Sequence, residues 1–206
     1  MGYITIRGNA EDRFVEKHSE FIGYICHVET NDEAVEFINK IKAMHRKATH
    51  NVYAYILRQG NTSRYSDDGE PQGTAGVPVL QVLSKNGLTD VCCVVTRYFG
   101  GILLGGGGLV RAYSHAAAIS VSAAEVLNMC ECYRCSVECD YSLYGKISYI
   151  LPEFEIITEG SDFSDVVRLT LLIKAEKFDD FYKKLVDTAN GSVEMTKSEL
   201  LFENFN

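Results

Sequence analysis

The spacing of apolar positions in residues 1–129 predicts a series of short strands and helices. Apolar and polar residues alternate in several runs, as in strands with one face in a core. Thr30-Asn31-Asp32-Glu33 has the form of a helix capping box, and apolar residues follow it at intervals of three and four. The apolar run 91–95 favours a strand covered on both faces. The predicted strands are 3–7, 13–17, 21–29, 52–57 and 91–95. One predicted helix begins near residue 31, and two others span 74–84 and 109–127.

The chain beyond Met129 carries a clearer architectural pattern. Its strand and helix patterns follow the order β-α-β-β-α-β, which is that of the ferredoxin-like fold. We therefore predict an α+β protein with a first domain at 1–129 and a ferredoxin-like domain at 130–206. The second domain should have two helices on one face of a four-stranded antiparallel sheet. Its predicted strands are 133–141, 154–158, 166–174 and 193–201, and its predicted helices are 144–151 and 176–189.

Composition sets limits on where the protein works. The chain has 206 residues, and its 46% hydrophobic content can supply a core to each of two small domains. No apolar run reaches the ~18 residues that a membrane-spanning helix requires. Residues 1–7 lack the basic start and apolar stretch of a signal peptide. These features predict a cytoplasmic protein.

The net charge of −8 is unevenly distributed. Residues 1–129 carry 12 Lys/Arg and 13 Asp/Glu, whereas residues 130–206 carry 8 and 15. The acidic second half would repel a phosphate backbone, while the nearly neutral first half can still present individual arginines to an anion. The total charge argues against non-specific binding of nucleic acid.

Four of the seven cysteines lie close together, at Cys130, Cys132, Cys135 and Cys139. Their spacing lacks the two paired C-x-x-C motifs that identify a zinc site. Alternate residues from Cys135 to Tyr141 fall instead on one face of a predicted strand, where free cysteine packs as a small apolar side chain. We therefore predict that the cysteines are reduced and bind no metal. No cofactor is predicted from the sequence.

An acidic loop at residues 66–76 is the first candidate for chemistry. It places Asp67, Asp68 and Glu70 within four residues. Such carboxylates could bind a hard cation such as Mg²⁺, or act as general acid and base. They could instead stabilise the turn and pair with nearby arginines. The sequence leaves both interpretations open.

Two glycine-rich segments follow the apolar run and are the second candidate. The first, 97–101, begins with Arg97, and the second, 104–113, has four consecutive glycines before Arg111. Glycine lets a backbone approach a ligand, amides at a helix N-terminus attract anions, and arginine binds phosphate or carboxylate through two hydrogen bonds. Neither segment is a Walker loop or a dinucleotide-binding fingerprint. Ligand binding and tight helix packing are both compatible with them.

The acidic loop and the glycine-rich segments together resemble the signature of the YigZ/IMPACT family, and the resemblance extends over essentially the whole chain. Residues 48–51 also resemble that family's lead-in to its central strand. The segments that carry the resemblance are Ser66-Asp67-Asp68-Gly69-Glu70-Pro71, Gly73-Thr74-Ala75-Gly76, Arg97-Tyr98-Phe99-Gly100-Gly101, Leu104-Gly105 and Gly107-Gly108-Leu109-Val110-Arg111-Ala112-Tyr113.

The resemblance implies a fold for each domain and a cellular process in which the protein acts. It implies an N-terminal βαβ domain of the type found in the second domain of a small-subunit ribosomal protein, in RNase PH and in small-molecule kinases. It implies a C-terminal domain like the last domain of elongation factor G. Relatives that act on RNA or the ribosome suggest a role in translation. Eukaryotic IMPACT proteins restrain the starvation-responsive kinase of translation initiation by competing for its activator. They carry an additional N-terminal RWD domain. This chain starts too close to the signature for such a domain, so we do not expect the kinase-pathway role here.

Two functions are compatible with these features. The first is a translation-associated regulator that binds RNA, the ribosome or a translation-factor partner through a glycine-rich cleft lined by Arg and Asp. The alternative is a Mg²⁺-dependent small-molecule or phosphoester enzyme that uses the same cleft. We expect the signature segments to converge on one cleft, because unpaired buried charges are costly. The candidate binding residues are His50, Ser66, Asp67, Asp68, Gly69, Glu70, Gly73, Thr74, Gly76, Arg97, Tyr98, Gly100, Gly101, Gly105, Gly107, Gly108 and Arg111.

The cysteine pattern generates a first testable prediction. Elemental analysis of the purified protein should find no stoichiometric zinc, because the cysteines alternate into a strand instead of clustering around a metal. One equivalent of zinc per chain, lost on replacing Cys132 or Cys135 by Ser, would contradict the prediction.

Overall fold

A computed structural model describes residues 2–205 of the chain. The chain divides into two compact units, one made of residues 3–127 and the other of residues 128–205 with Gly2. Each unit has its own hydrophobic core. Both combine helices with a sheet, so the predicted α+β class is confirmed. None of the helices in the described part of the chain is long and apolar enough to span a membrane.

The first unit is built on a five-stranded sheet in the order β2-β3-β6-β4-β5, in which every neighbouring pair is antiparallel. Helices cover both faces of this sheet, α2 and α3 on one side and α1 on the other. Its strands are β1 (Tyr3–Arg7), β2 (Asn9–Glu16), β3 (Ser19–His27), β4 (His50–Leu57), β5 (Thr62–Ser66) and β6 (Val91–Tyr98), and its helices are α1 (Asn31–Met44), α2 (Gly76–Lys85) and α3 (Gly106–Ser122).

Strand β6 explains the unbroken apolar run in the sequence. Cys93 and Val95 pack into the core beneath α2 and α3, whereas Cys92 and Val94 pack into the core beneath α1. A central strand with helices on both faces has no solvated side, so both sets of alternating side chains must be apolar. Arg97, the second-last residue of β6, is also buried, so the buried part of the strand extends almost to its C-terminal end.

The second unit follows the predicted order of elements. Strand β7 pairs antiparallel with β9 on one side and with β10 and β11 on the other, and β9 pairs antiparallel with β8. Side chains from α4 and α5 pack into the single core of this unit. The elements are β7 (Glu125–Cys139), α4 (Tyr141–Ile150), β8 (Ile157–Phe163), β9 (Val167–Lys174), α5 (Phe178–Thr188), β10 (Glu194–Lys197) and β11 (Leu201–Asn204).

The cysteines are free thiols, and four of them pack in the cores, namely Cys92, Cys93, Cys135 and Cys139. Cys135, Val137 and Cys139 alternate inward along β7, as predicted, but the strand ends there, and Tyr141 begins α4 half exposed. Burial raises the pKa of Cys132 and of Cys135 to about 11.

Several elements differ from the prediction. The predicted strand 154–158 is β8, which begins and ends later, and the predicted last strand 193–201 is divided into β10 and β11, so the second unit does not have the predicted four strands. Strand β5 was not predicted, because Thr62–Ser66 is polar and lies at the sheet edge, where it pairs only with β4. Helix α3 begins at Gly106, three residues before the predicted start, and ends at Ser122. Glycine is a poor helix former, so a start within a run of glycines is decided by packing against the sheet and not by local propensity.

Gly23 allows the closest contact between the sheet and α3. A Cβ at this position of β3 would collide with the carbonyl oxygen of Ala116 in α3 and crowd the side chain of Ser120. Helix α3 presents Ala112, Ala116 and Ala117 to the sheet, so small residues on both partners let the two backbones approach. The small face of α3 is therefore explained by packing.

This contact generates a second testable prediction. Gly23→Ala should lower the free energy of unfolding by about 1–3 kcal/mol, because the added methyl group forces α3 away from the sheet. Denaturant unfolding measures the change. Gly145→Ala in α4 is the control, since its Cβ would meet no atom within 4 Å, and it should be neutral or stabilising. Equal effects of the two substitutions would contradict the packing argument.

Candidate functional site

A buried ion pair between Glu70 and Arg97 is the centre of the candidate site. Their side chains are only 4% and 6% exposed, and Arg97 Nη1 donates to Glu70 Oε1 at 2.6 Å. The Tyr113 hydroxyl donates to the same oxygen at 2.6 Å. Burial, and then the hydrogen bond to Glu70, raises the pKa of Tyr113, which keeps this phenol protonated as a donor. A buried ion pair is tolerated when further hydrogen bonds surround it in this way.

Strand pairing and aromatic contacts hold Arg97 in place. Arg97 lies opposite Phe21 in the β3–β6 pair. Its guanidinium carbon is 5.4 Å from the ring centroid of Phe21 and 5.4 Å from that of Phe99, within the range of cation–π contact. Arg97 Nη2 donates to Ser19 Oγ at 3.4 Å. The guanidinium is thus fixed on several sides before any ligand arrives.

Asp67 organises the loop that carries Glu70. One carboxylate oxygen of Asp67 accepts hydrogen bonds from the Ala75 and Gly76 amides at 3.1 and 2.8 Å, and the other accepts from the Gly73 amide at 2.9 Å. These amides lie at and just before the N-terminus of α2, where backbone donors have no partner within the helix. Asp67 therefore caps α2 from a distance and closes the acidic loop.

Asp68 joins the loop to β4 and α1. Its carboxylate accepts from the Lys42 ammonium and from the Asn51 amide, each at 2.7 Å. The carbonyl oxygen of Asp68 accepts from His50 Nδ1 at 2.8 Å. Positive φ angles of 45° at Asp68 and 89° at Gly69 then turn the chain so that Glu70 enters the core.

The three carboxylates of the loop therefore serve three different partners. Asp67 binds backbone amides, Asp68 binds Lys42 and a strand amide, and Glu70 binds Arg97 and Tyr113. A Mg²⁺ site needs several oxygens that converge on one point. Within residues 2–205, no group of three or more His, Cys, Asp or Glu side chains is arranged to hold a metal ion.

A cleft of about 360 Å³ opens above the Glu70–Arg97 pair, within the first unit. Its floor is polar and is formed by His50, Glu70 and Arg97. Its rim includes Leu103, which is 81% exposed, and the half-exposed Phe99. An apolar cleft with a few polar groups at its base is the usual form of a ligand site. The remaining lining residues are Thr49, Pro71, Leu104, Gly105, Gly106 and Leu109.

Arg111 lies in a different cavity. This second cavity, of about 270 Å³, is lined by Arg111 and His115 of α3 together with Lys17 and Glu16. Gly108 contributes its backbone there as well. The cavity contains more positive than negative side chains, and Arg111 is exposed in it. The expected single cleft is therefore divided between two neighbouring cavities.

The positions of Tyr98 and of three further candidate glycines are explained by packing contacts or by backbone conformation. A Cβ at Gly100 would collide with the backbone of His18 and Ser19, and the Gly100 amide donates to Ser19 Oγ at 3.2 Å. Gly101 and Gly105 have positive φ angles of 85° and 72°. Tyr98 contacts the α1 side of the sheet, where its hydroxyl pairs with His45 Nδ1 at 2.8 Å.

The structure thus sorts the candidate residues into groups. His50, Glu70, Arg97 and Gly105 line the cleft, and Gly108 and Arg111 line the second cavity. Gly107 lies in the first turn of α3. The residues that shape the acidic loop through hydrogen bonds or close contacts are Ser66, Asp67, Asp68, Gly69, Gly73, Thr74 and Gly76.

Sequence reasoning missed several residues of the site. Tyr113 completes the buried cluster, and Ser19 reaches it from β3. The apolar walls were also missed. One signal was present, because Ile102-Leu103-Leu104 is an apolar run between glycines in a loop, where exposed apolar residues call for an explanation.

Comparisons with known proteins agree with this organisation. Residues 17–121 match the Impact N-terminal domain family, and residues 137–192 match a domain of unknown function, DUF1949. The chain is 37% identical to the IMPACT family member YvyE of Bacillus subtilis, over 97% of this chain and 93% of that protein. It is 32% identical to the IMPACT family member YigZ of Escherichia coli, over 89% and 91%.

A solved structure described as the crystal structure of an hypothetical protein is also similar. It aligns with a TM-score of 0.60 and 29% identity, over 96% of this chain and 98% of that one. The Protein IMPACT homolog of Dictyostelium discoideum is 35% identical over 60% of this chain and 35% of its own length.

The buried cluster generates a third testable prediction. Arg97→Met should lower the free energy of unfolding by about 3–5 kcal/mol, because it leaves the Glu70 carboxylate buried without its cation. Denaturant unfolding monitored by circular dichroism measures this loss. Arg64→Met, at an exposed position of β5, is the matched control and should change stability by less than about 0.5 kcal/mol. Similar effects of the two substitutions would show that the pair is not structural.

Proposed function

The chain belongs to the IMPACT family, and we propose that it is a translation-associated binding protein that recognises a protein component of the translation machinery. The cleft above Glu70 and Arg97 is its binding site in this proposal. The domain at 1–129 carries that site, and the domain at 130–206 supplies an acidic surface. The family resemblance supports the connection with translation, and the geometry of the cleft supports a protein partner.

The observation that carries the proposal is the neutralisation of Arg97 beneath apolar walls. Glu70 Oε1 already binds Arg97 at 2.6 Å, so the ion pair as a whole has no net charge with which to attract a phosphate. The walls and rim present Phe99, Leu103 and Leu104 to an incoming group. Apolar pockets with an exposed rim receive anchoring side chains of protein partners. Phosphate recognition relies instead on unpaired cations.

The charge distribution supports the same choice of partner. The second half of the chain has a net charge of −7, which opposes association with a polyanionic RNA and favours a basic protein surface. An RNA partner would instead bind the positive charges of Arg111 and Lys17, which line the second cavity. RNA and protein partners therefore require different residues, and substitution can separate them.

The element order also supports finer fold proposals. The helix-covered antiparallel sheet of the first unit suits the fold of the ribosomal-protein second domain and of RNase PH. The β-α-β-β-α-β order of the second unit suits a ferredoxin-like domain resembling the last domain of elongation factor G. Translation takes place in the cytoplasm, so the proposal includes a cytoplasmic location.

Sedimentation with purified ribosomes and purified translation factors provides the fourth testable prediction. Leu103→Asp should weaken association by about tenfold or more, because it removes apolar contact and places a charge at the rim. Arg111→Ala should change the affinity by less than about twofold, because a protein partner in the cleft does not need a phosphate contact. Met44→Asp, an exposed apolar position in α1, is the control and should behave as the parent protein.

Salt titration adds an independent test of the partner class. If Arg111 contacts phosphate, Arg111→Ala should reduce the salt dependence of the affinity, whereas with a protein partner in the cleft the salt dependence should be the same in Arg111→Ala and in the parent protein. Thermal unfolding of each variant excludes loss of folded protein. Affinity that falls steeply with salt and is lost with Arg111→Ala, but not with Leu103→Asp, would overturn the proposal in favour of RNA.

A further inference from the structure

The floor of the cleft exposes two hydrogen-bond acceptors close to each other. His50 Nδ1 lies 2.8 Å from the Asp68 carbonyl oxygen, and a carbonyl can only accept, so Nδ1 carries the proton. In the neutral imidazole, Nε2 is then an acceptor. Nε2 lies 3.8 Å from Glu70 Oε2, beyond hydrogen-bonding distance. Both residues line the cleft.

These two acceptors differ from the other acceptor atoms of the cluster, in which one donor, Arg97 Nε, is also buried without a hydrogen-bond partner. Glu70 Oε1 is satisfied by Arg97 and Tyr113, each at 2.6 Å. Glu70 Oε2 has only the 3.8 Å approach of His50, although its side chain is 96% buried (4% exposed). An acceptor in such surroundings gains more from a hydrogen-bond donor than one in open water does. A ligand that brings a donor to the floor is therefore favoured.

The charge of the floor determines what kind of donor fits. Glu70 and Arg97 cancel, and the donation from His50 to Asp68 is complete with a neutral imidazole. A second cation would be desolvated beside Arg97 with no net negative charge to receive it. A neutral donor avoids this cost. A hydroxyl or an N–H group is thus preferred over an ammonium or a guanidinium.

The walls determine what carries that donor. Phe99, Leu103, Leu104 and Leu109 surround a volume of about 360 Å³, which is within the range of sites for small organic groups. An aromatic ring fills such a space at low cost in side-chain entropy, and tyrosine adds one neutral donor at its far end. Tyrosine is also among the residues that most often anchor protein interfaces.

We infer that the cleft receives a tyrosine side chain of the partner protein, with its ring between the apolar walls and its hydroxyl donating to Glu70 Oε2 beside His50 Nε2. This inference rests on the proposed function, according to which the partner is a protein. It adds the chemical group that the site selects. The selectivity resides in Glu70, and the affinity resides in the apolar walls.

Small probes test this selectivity on the full-length protein. The probes are 4-methylphenol, which has a neutral donor, 4-methylanisole, which has the same ring without the donor, and 4-methylbenzylamine, which is cationic. Titration followed by NMR shifts of the cleft residues should show 4-methylphenol binding at least about fivefold tighter than 4-methylanisole. The cationic probe should bind more weakly than 4-methylphenol. Equal binding of the first two probes, or a preference for the cation, would overturn the inference.

Two substitutions assign the preference to the floor. His50→Asn keeps a donor for the Asp68 carbonyl and removes only the acceptor at Nε2, so it should retain the preference for 4-methylphenol, whose single O–H donates to Glu70 Oε2. Glu70→Gln can place an amide donor where Oε2 was, and should abolish the preference if the variant folds. His115→Asn, in the second cavity, is the matched control and should bind all probes as the parent protein does. Loss of the preference in a folded His50→Asn protein, or an unchanged preference in a folded Glu70→Gln protein, would refute the assignment to Glu70.

The outcomes separate this inference from the proposed function. Probe selectivity together with undiminished ribosome and factor association of Leu103→Asp would retain the ligand class and reject the proposed function. Loss of association in Leu103→Asp without probe selectivity would retain the proposed function and reject tyrosine as the anchor.

Discussion

The buried ion pair between Glu70 and Arg97 is the interaction on which the site depends. It joins the end of β6 to the acidic loop, and Tyr113 ties both to α3. Taking two charges out of water is costly, and the cost is offset only when geometry and additional hydrogen bonds are good. The surrounding residues can be understood as the means of meeting that condition, from Ser19 to the rings of Phe21 and Phe99.

The acidic loop shows how one short segment can do several structural tasks. Asp67 closes the loop by capping α2, and Asp68 joins the loop to α1 and β4. Because both are engaged in this way, Glu70 is held at the base of the cleft with one oxygen directed to Arg97. A charge cluster that suggests metal binding in the sequence is therefore a frame that orients a single carboxylate. The same frame sets the tautomer of His50 through the Asp68 carbonyl.

Neutralisation of Arg97 changes the chemistry that the site can perform. An unpaired arginine beside a glycine-rich helix start would favour phosphate. Here the arginine supports a carboxylate, and the apolar residues of the following loop form the walls of the cleft. The positive charge that remains accessible in Arg111 lies in the second cavity. The geometry thus favours an apolar group with a neutral polar tip over a polyanion.

The sequence by itself determined the parts of this protein that follow from local patterns. The capping box at Thr30 and Glu33 predicted the start of α1, and the Glu33 amide does donate to Thr30 Oγ1 at 3.2 Å. The unbroken apolar run 91–95 predicted a strand covered on both faces, and the element order predicted the second unit. Such signals depend on residues that are close together in the sequence, so they can be recognised in a single sequence without the structure.

Only the tertiary structure decided which charged residue met which partner. Glu70, Arg97 and Tyr113 are separated by up to 43 positions, and nothing in their spacing distinguishes Glu70 from Asp67 or Asp68 as the partner of Arg97. The separation of Arg111 from the cleft was equally hidden, because it depends on where α3 begins within four consecutive glycines. Pairing of buried charges is settled by sheet register and helix position, which are properties of the folded chain as a whole.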